Sequence, residues 1–274
     1  MTASETESPL GKPSDYPSTY SPELLFAIDR ARNRGALGIE GDLPFFGTDI
    51  WNAWELTWLA QSGQPQVAEC EIRVPAASPN IVESKSLKLY LNAFSMSSFS
   101  SADEVAATIR SDLSACTGGD VLVHLRQPAD TPLPEIAAAP GDSLDNADVH
   151  CEKWEVDPKL LSADPSQRVS ETLHSHLLRS LCPVTNQPDS GTLLLNYAGP
   201  RIDRAGLLRY IVSYRMHNDF HESCVERMFL DLRQRCGCES LSVYARYQRR
   251  GGIDINPYRS SDSALVENLR LWRQ

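Results

Sequence analysis

Nowhere in this 274-residue chain does an uninterrupted apolar run approach the roughly eighteen residues that a membrane helix requires. The opening residues, MTASETE, also lack the basic and apolar regions of a signal peptide. Both absences predict a cytosolic protein. Basic residues are in the minority, with 26 Lys and Arg against 36 Asp and Glu, for a formal net charge of -10. A binder of duplex DNA or of a tRNA backbone needs the reverse, a concentrated basic face. Neither nucleic acid nor membrane is therefore expected as a partner, and a small-molecule substrate fits better. No GxGxxG follows a strand, which excludes a Rossmann site. No HExxH is present, so His217 and His221, although four residues apart, do not make a metalloprotease. The seven cysteines are an odd number scattered without a disulfide framework, which predicts reduced thiols. The pair Cys236 and Cys238 supplies two ligands, too few for zinc, and no metal is assigned.

What is present is the composition of an ordinary globular protein, 41% hydrophobic and 23% charged. The length accommodates two domains of modest size. The first 22 residues, rich in Ser, Thr, Pro and Glu, read as a flexible tail. Residues 127–149, containing PADTPLPEIAAAPGDSLDNA, show neither helical nor strand periodicity and read as a linker. The predicted division is thus a tail at 1–22, an N-terminal unit at 23–126, the linker, and a C-terminal unit at 150–274. In the first unit, strands are predicted near 50–58 and 67–75, helices near 84–94 and 102–115, and a strand at 120–126. In the second, strands fall near 168–178 and 191–198, helices near 203–216 and 221–235, and a strand at 240–248. One β-β-α-α-β pattern occurs twice, an α+β organisation with antiparallel sheets. Val225, Met228, Phe229 and Leu232 form one apolar helical stripe, and Leu207, Leu208, Ile211 and Val212 form another, so two helices can cover one face of a sheet.

Three segments concentrate reactive residues: VESKSLKLY at 82–90, SLCPVTNQPD at 180–189, and HNDFHE at 217–222. Cys182 follows a strand-like run and precedes Pro183, which places its thiol at a strand edge or in a loop. A thiol becomes a nucleophile when a neighbouring base or charge assists it, and Asp189, past a turn, is a proton-handling group within reach. The bland alternative is a buried cysteine beside a turn aspartate. Asp219 as N-cap with Glu222 three residues on reads as a capping box. Alternatively, Glu222 at a helix start accepts two N–H bonds from a guanine-like edge. Lys85 and Lys88 belong either to a solvated amphipathic face or, with Glu83, to a helix N-terminus that favours an anionic phosphate. The run Arg249, Arg250, Gly251, Gly252 is either an exposed basic turn or a second phosphate grip.

These segments, with SVYARYQRRGGIDINP at 242–257, resemble the NADPH-dependent 7-cyano-7-deazaguanine reductases in their longer, tandem-domain form, and the resemblance runs from about Ile50 to Arg259. It implies two tandem tunnelling-fold (T-fold) units of β-β-α-α-β-β order, with a site supplied by Glu83 from one unit and Cys182 from the other. The implied activity is a step of tRNA queuosine biosynthesis: four-electron reduction of the nitrile of 7-cyano-7-deazaguanine to an aminomethyl group, using two NADPH. By the same resemblance, Cys182 forms a covalent thioimide and Asp189 handles the proton. Val82, Glu83, Ser84, His221 and Glu222 line the substrate site, while Ser84, Lys85, Arg250 and Gly251 contact NADPH. The tandem form also resembles homodimers. Two other readings stay open: a zinc-dependent cyclohydrolase of the same fold, with Cys182, His217 or His221 as ligands, and a non-catalytic pterin- or purine-binding module that retains Glu222.

Overall fold

The computed structural model describes residues 16–129 and 132–274; residues 1–15 of the expected tail and residues 130–131 of the expected linker lie outside the described residues. The chain divides into two compact units that interleave in sequence. One holds residues up to Glu40, Thr48–Pro134 and Arg249–Asp254; the other holds Gly41–Gly47, Glu135–Gln248 and Ile255–Gln274. Among the described residues no helix is long and apolar enough to cross a membrane.

The first unit begins with β1 (Ala27–Asp29) and α1 (Arg30–Ala36) and continues with β2 (Phe46–Ala60), β3 (Pro65–Pro75) and β4 (Asn80–Val82). Then come α2 (Ser84–Asn92), β5 (Ser98–Phe99), α3 (Ala102–Thr117) and β6 (Leu122–Arg126). Its main sheet runs β6-β3-β2, antiparallel throughout, and β1 pairs separately with β4. Local chemistry sets these boundaries. Gly63, at φ +82°, turns the chain between β2 and β3. Ser101 caps α3 by accepting from the Glu104 amide, and Gly118 ends that helix in the left-handed region. Val105, Ile109 and Leu113 make its buried stripe. Tyr20 is docked on this unit, because its hydroxyl and that of Tyr90 both donate to Asp112 Oδ2, at 2.8 and 2.6 Å.

The second unit comprises β7 (Asp142–Ser143), β8 (Ala163–Leu181), β9 (Pro188–Ile202), α4 (Arg204–Ser213), α5 (His221–Cys236), β10 (Ser240–Tyr247) and most of β11 (Ile253–Ser260). Its sheet runs β11-β10-β9-β8-β7, antiparallel except for the short β7–β8 pair. The α+β order with antiparallel sheets and two longer helices per unit is the one predicted. In α5, Val225, Met228, Phe229 and Leu232 are fully buried, and each such side chain contributes roughly 1.5–3 kcal/mol of burial. In α4, Leu207, Leu208 and Ile211 are buried, while Val212 is only half-buried.

Hydropathy missed β11. Its sequence, IDINPYRS, carries Asp254, Asn256 and Arg259 at inward positions, and all three are fully buried. Each is satisfied by hydrogen bonds. Asp254 accepts from Asn52 Nδ2 at 2.7 Å and Trp54 Nε1 at 2.5 Å, Asn256 Oδ1 accepts from the Tyr247 amide at 3.1 Å, and Arg259 donates to Glu226 at 2.8 Å. A pattern method that treats polar residues as outward-facing reads this strand as a loop.

Candidate active site

Cys182 sits at the start of the turn that joins β8 to β9. Its amide donates to the Gln187 carbonyl at 2.9 Å and its carbonyl accepts from the Asn186 amide at 3.0 Å, which closes the turn. Asn186 takes the left-handed conformation, φ 56°, one of the few non-glycine residues suited to it. Pro183 lies in the turn, outside both strands, so its missing N–H breaks no ladder bond. Across the hairpin Ser180 pairs with Asp189 and Leu181 with Pro188. Directly paired residues share a face, so Ser180 and Asp189 lie on one side of the hairpin, and Cys182 is the first residue past the end of β8. Cys182 is 5% exposed and Asp189 3%.

The start of α5 meets this face. The Leu181 amide donates to the His217 carbonyl at 2.8 Å, and the Leu181 carbonyl accepts from the Asp219 amide at 3.2 Å. Asn218 Nδ2 donates to Asn186 Oδ1 and, at 3.5 Å, to the Cys182 carbonyl. The hairpin turn is thereby tied to the segment that enters the helix. His221, first in α5, places Nε2 3.2 Å from Asp189 Oδ2. Its Nδ1 is buried without a hydrogen-bond partner among the described residues. Glu222 follows in the first helical turn, also buried. The predicted capping box is not formed. The N-cap is Phe220, which offers no side-chain acceptor, and Asp219 Oδ1 instead accepts from the Phe220 amide at 2.8 Å. With the helix starting at His221, Glu222 stands one position too early to reach back as a box partner.

In the first unit, Glu83 is the N-cap of α2: Oε1 accepts from the Lys85 amide and Oε2 from the Ser86 amide, both at 2.8 Å. The carboxylate is 1% exposed. Oε1 also accepts from Ser84 Oγ at 3.4 Å, while Oε2 keeps a second lone pair, so capping does not exhaust the carboxylate's acceptor capacity. Val82 is buried at the end of β4, and Ser84 and Lys85 are half-buried in the first turn of α2. The turn at 249–252 holds Gly251 at φ +63° and Gly252 at φ +80°, closed by the Arg250 amide donating to the Ile253 carbonyl at 2.9 Å. A Cβ on Gly251 would come within 3.3 Å of the Lys88 side chain. Lys88 and both glycines line a cavity of about 200 Å³ floored by Leu56 and Leu91. A glycine turn with a lysine against it is a cradle that an added side chain would fill, and it suits the anionic pyrophosphate of a dinucleotide. Arg249 is occupied over the Trp54 ring, 4.8 Å from its centroid.

In the second unit the structure places Cys182 and Asp189 at the end of one hairpin, His221 3.2 Å from Asp189, and Glu222 next to His221 in the first turn of α5; in the first it places Val82, Glu83, Ser84 and Lys85 at the start of α2, with Arg250 and Gly251 in a separate turn. Sequence reasoning missed Asn186, Asn218 and Tyr247. Asn186 had a signal, since asparagine in a Pro-bounded turn favours the left-handed region. Burial pushes the thiols of Cys70 and Cys224 well up, those of Cys116 and Cys238 to about 11, and that of Cys236 to about 12. Those five stay protonated at neutral pH and are poor nucleophiles. Among the described residues no group of three or more His, Cys, Asp or Glu is placed to hold a metal ion.

Two family models match the chain. One, described as nitrile reductase, 7-cyano-7-deazaguanine-reductase N-terminal, covers residues 16–125; the other, described as QueF-like protein, covers residues 188–265. A protein of Dechloromonas aromatica is 53% identical over 269 residues, 97% of this chain and 95% of its own length. One of Burkholderia multivorans is 53% identical over 269 residues, 97% of this chain and 98% of its own. Both are named NADPH-dependent 7-cyano-7-deazaguanine reductase. Among solved structures, the apo form of the archaeosine synthase QueF-Like aligns with a TM-score of 0.31 and 15% identity, over 36% of this chain and 96% of its own.

Proposed function

The chain belongs to the NADPH-dependent 7-cyano-7-deazaguanine reductases, and from that premise we propose that Cys182 is its nucleophile, Asp189 its proton-handling group, and Glu222 with Glu83 the acceptors for the deazaguanine ring. It is an NADPH-dependent oxidoreductase acting on the nitrile of 7-cyano-7-deazaguanine. The single observation that carries the assignment of roles is the buried end of one hairpin, where Cys182 follows β8 and Asp189 opens β9, with His221 3.2 Å from the Asp189 carboxylate.

The Cys182 sulfur adds to the electrophilic nitrile carbon, and the nitrile nitrogen takes up a proton to give a thioimide. Asp189 takes the thiol proton as the sulfur attacks and passes it to the nitrogen. Two NADPH, bound in turn, would each supply one hydride, the first for the thioimide and the second for the imine left once the thiol has departed. Between those events Cys182 leaves as the thiol, and the buried surroundings keep water from hydrolysing the imine. Glu222 and Glu83 accept from the ring's N–H donors, Val82, Ser84 and His221 line the site, and the orphaned His221 Nδ1 gains a partner when substrate binds. Ser84, Lys85, Arg250 and Gly251 hold the cofactor at the cradle beside Lys88. We place the reaction in queuosine biosynthesis, in the cytoplasm, with a homodimer as the working assembly and the tandem division at the 127–149 linker as the domain organisation.

The reading is tested by stoichiometry. Two NADPH should be oxidised for each aminomethyl product, and none without the nitrile; a one-to-one ratio, or oxidation that ignores the nitrile, overturns it. Glu222→Gln should weaken substrate binding by about 5- to 150-fold, because an amide donor then opposes the ring's own donors in a buried site. Calorimetric titration with 7-cyano-7-deazaguanine checks this, and an unchanged Kd removes Glu222 from the site.

A further inference from the structure

One contact of the site belongs to no role described so far. Tyr247, the last residue of β10, lies flat against His221, with ring centroids 3.6 Å apart and planes 4° from parallel. We propose that Tyr247 is a positioning residue, whose ring fixes the plane of the His221 imidazole and through it the orientation of the Asp189 carboxylate. The inference rests on the reading above, in which Asp189 handles the proton.

The geometry requires such a device. The contact between His221 Nε2 and Asp189 Oδ2 fixes one point of the imidazole, and its Nδ1 finds no partner among the described residues. Nε2 lies close to the axis of the bond to Cβ, so a contact there restrains rotation about that bond only weakly, and the terminal torsion of histidine is broad. A parallel aromatic face removes that freedom, since turning the imidazole would drive its edge into the phenol ring.

The backbone of Tyr247 is held at both its amide and its carbonyl. The residue is fully buried. Its amide donates to Asn256 Oδ1 at 3.1 Å, and its carbonyl accepts from Gln274 Nε2 at 2.6 Å. Gln274 is buried, and its Oε1 accepts from the amide of the fully buried Leu271 at 2.9 Å, so the irregular segment after β11 ties down the end of β10. Burial holds the phenol protonated at neutral pH, so the ring acts by its shape rather than its charge. Opposite Tyr247 in the β9 register stands Gly191. A Cβ there would lie 3.2 Å from Tyr247 Cδ1 and 3.3 Å from Leu178 Cδ2, closer than ordinary packing allows. The absence of a side chain at Gly191 is what lets the ring occupy the slot in which it meets His221.

The test compares Tyr247→Leu, Tyr247→Phe and Gly191→Ala with the parent protein. The rate of adduct formation with 7-cyano-7-deazaguanine is followed by quenched intact mass without NADPH, and substrate Kd is measured on a Cys182→Ala background. Tyr247→Leu should slow adduct formation by roughly ten- to a hundredfold, the cost of a reacting group displaced by less than or about 1 Å, while Kd stays within about threefold. Tyr247→Phe, which keeps the ring, should restore the rate, and Gly191→Ala, which crowds it, should cost about two- to fivefold. A Tyr247→Leu rate equal to the parent's overturns the proposal. So does a Tyr247→Phe rate as low as that of Tyr247→Leu, or a Kd that weakens as much as the rate falls. If Tyr247→Leu does not fold, Gly191→Ala decides: an unchanged rate overturns the proposal. An adduct on the parent protein shows that the nucleophile reading holds whatever the Tyr247 variants do, and its absence overturns both.

Discussion

Cys182→Ala should form no covalent adduct with 7-cyano-7-deazaguanine and should lose turnover by at least about a thousandfold, the scale on which removal of a covalent nucleophile is felt. Intact-protein mass after mixing without NADPH checks the first half, and NADPH oxidation the second. Parent protein should gain the mass of the substrate, because thiol addition to a nitrile expels nothing. The variant should still bind substrate, since the proposed ring acceptors, Glu83 and Glu222, lie at the starts of α2 and α5 rather than on the hairpin. The other thiols offer no substitute: five are held protonated by burial, and Cys151 lies outside the hairpin, in a segment without regular structure. An adduct that persists on Cys182→Ala would move the nucleophile elsewhere.

Asp189→Asn should lower kcat by about 10² to 10⁴ while substrate Kd changes little, the signature of a lost proton donor. The amide keeps the shape of the carboxylate and its place opposite Ser180, so the hairpin should stay folded. It cannot deliver a proton to the nitrile nitrogen, and it presents either oxygen or nitrogen to His221 Nε2 in place of a carboxylate oxygen. Adduct formation and overall turnover should slow together, because the proton is needed when the sulfur adds. A variant whose kcat matches the parent's would remove Asp189 from the chemistry.

How much of this was legible in the sequence depends on how local each signal is. Cys182 and Asp189 bracket a turn rich in Pro and Asn, and turn chemistry acts over a few residues, so their nearness could be read from spacing. The helices showed themselves by their apolar stripes, and the long strands by alternation. The cap of α5 was misread, though not its start at His221, because the sequence shows a good candidate, Asp219, but not that its carboxylate turns back to the Phe220 amide. Glu83 was placed correctly at a helix start, yet nothing local said that both its oxygens would serve as the cap. Tyr247 was invisible because its partner His221 lies on a different element, and an aromatic residue late in an alternating strand looks like any core residue. β11 was missed because its inward side chains are polar and their partners lie on other elements, Tyr247 on β10, Glu226 on α5 and Trp54 on β2.

The polar interior of β11 also sets how this strand can go wrong. A slip of one residue turns every side chain of a strand to the opposite face. Here a slip would strand Asp254, Asn256 and Arg259 in the interior away from their acceptors and donors, at roughly 1–3 kcal/mol apiece. The strand behaves as a key with three wards: it fits one lock, and a misaligned copy, or the same segment of another chain, is rejected before it can template aggregation.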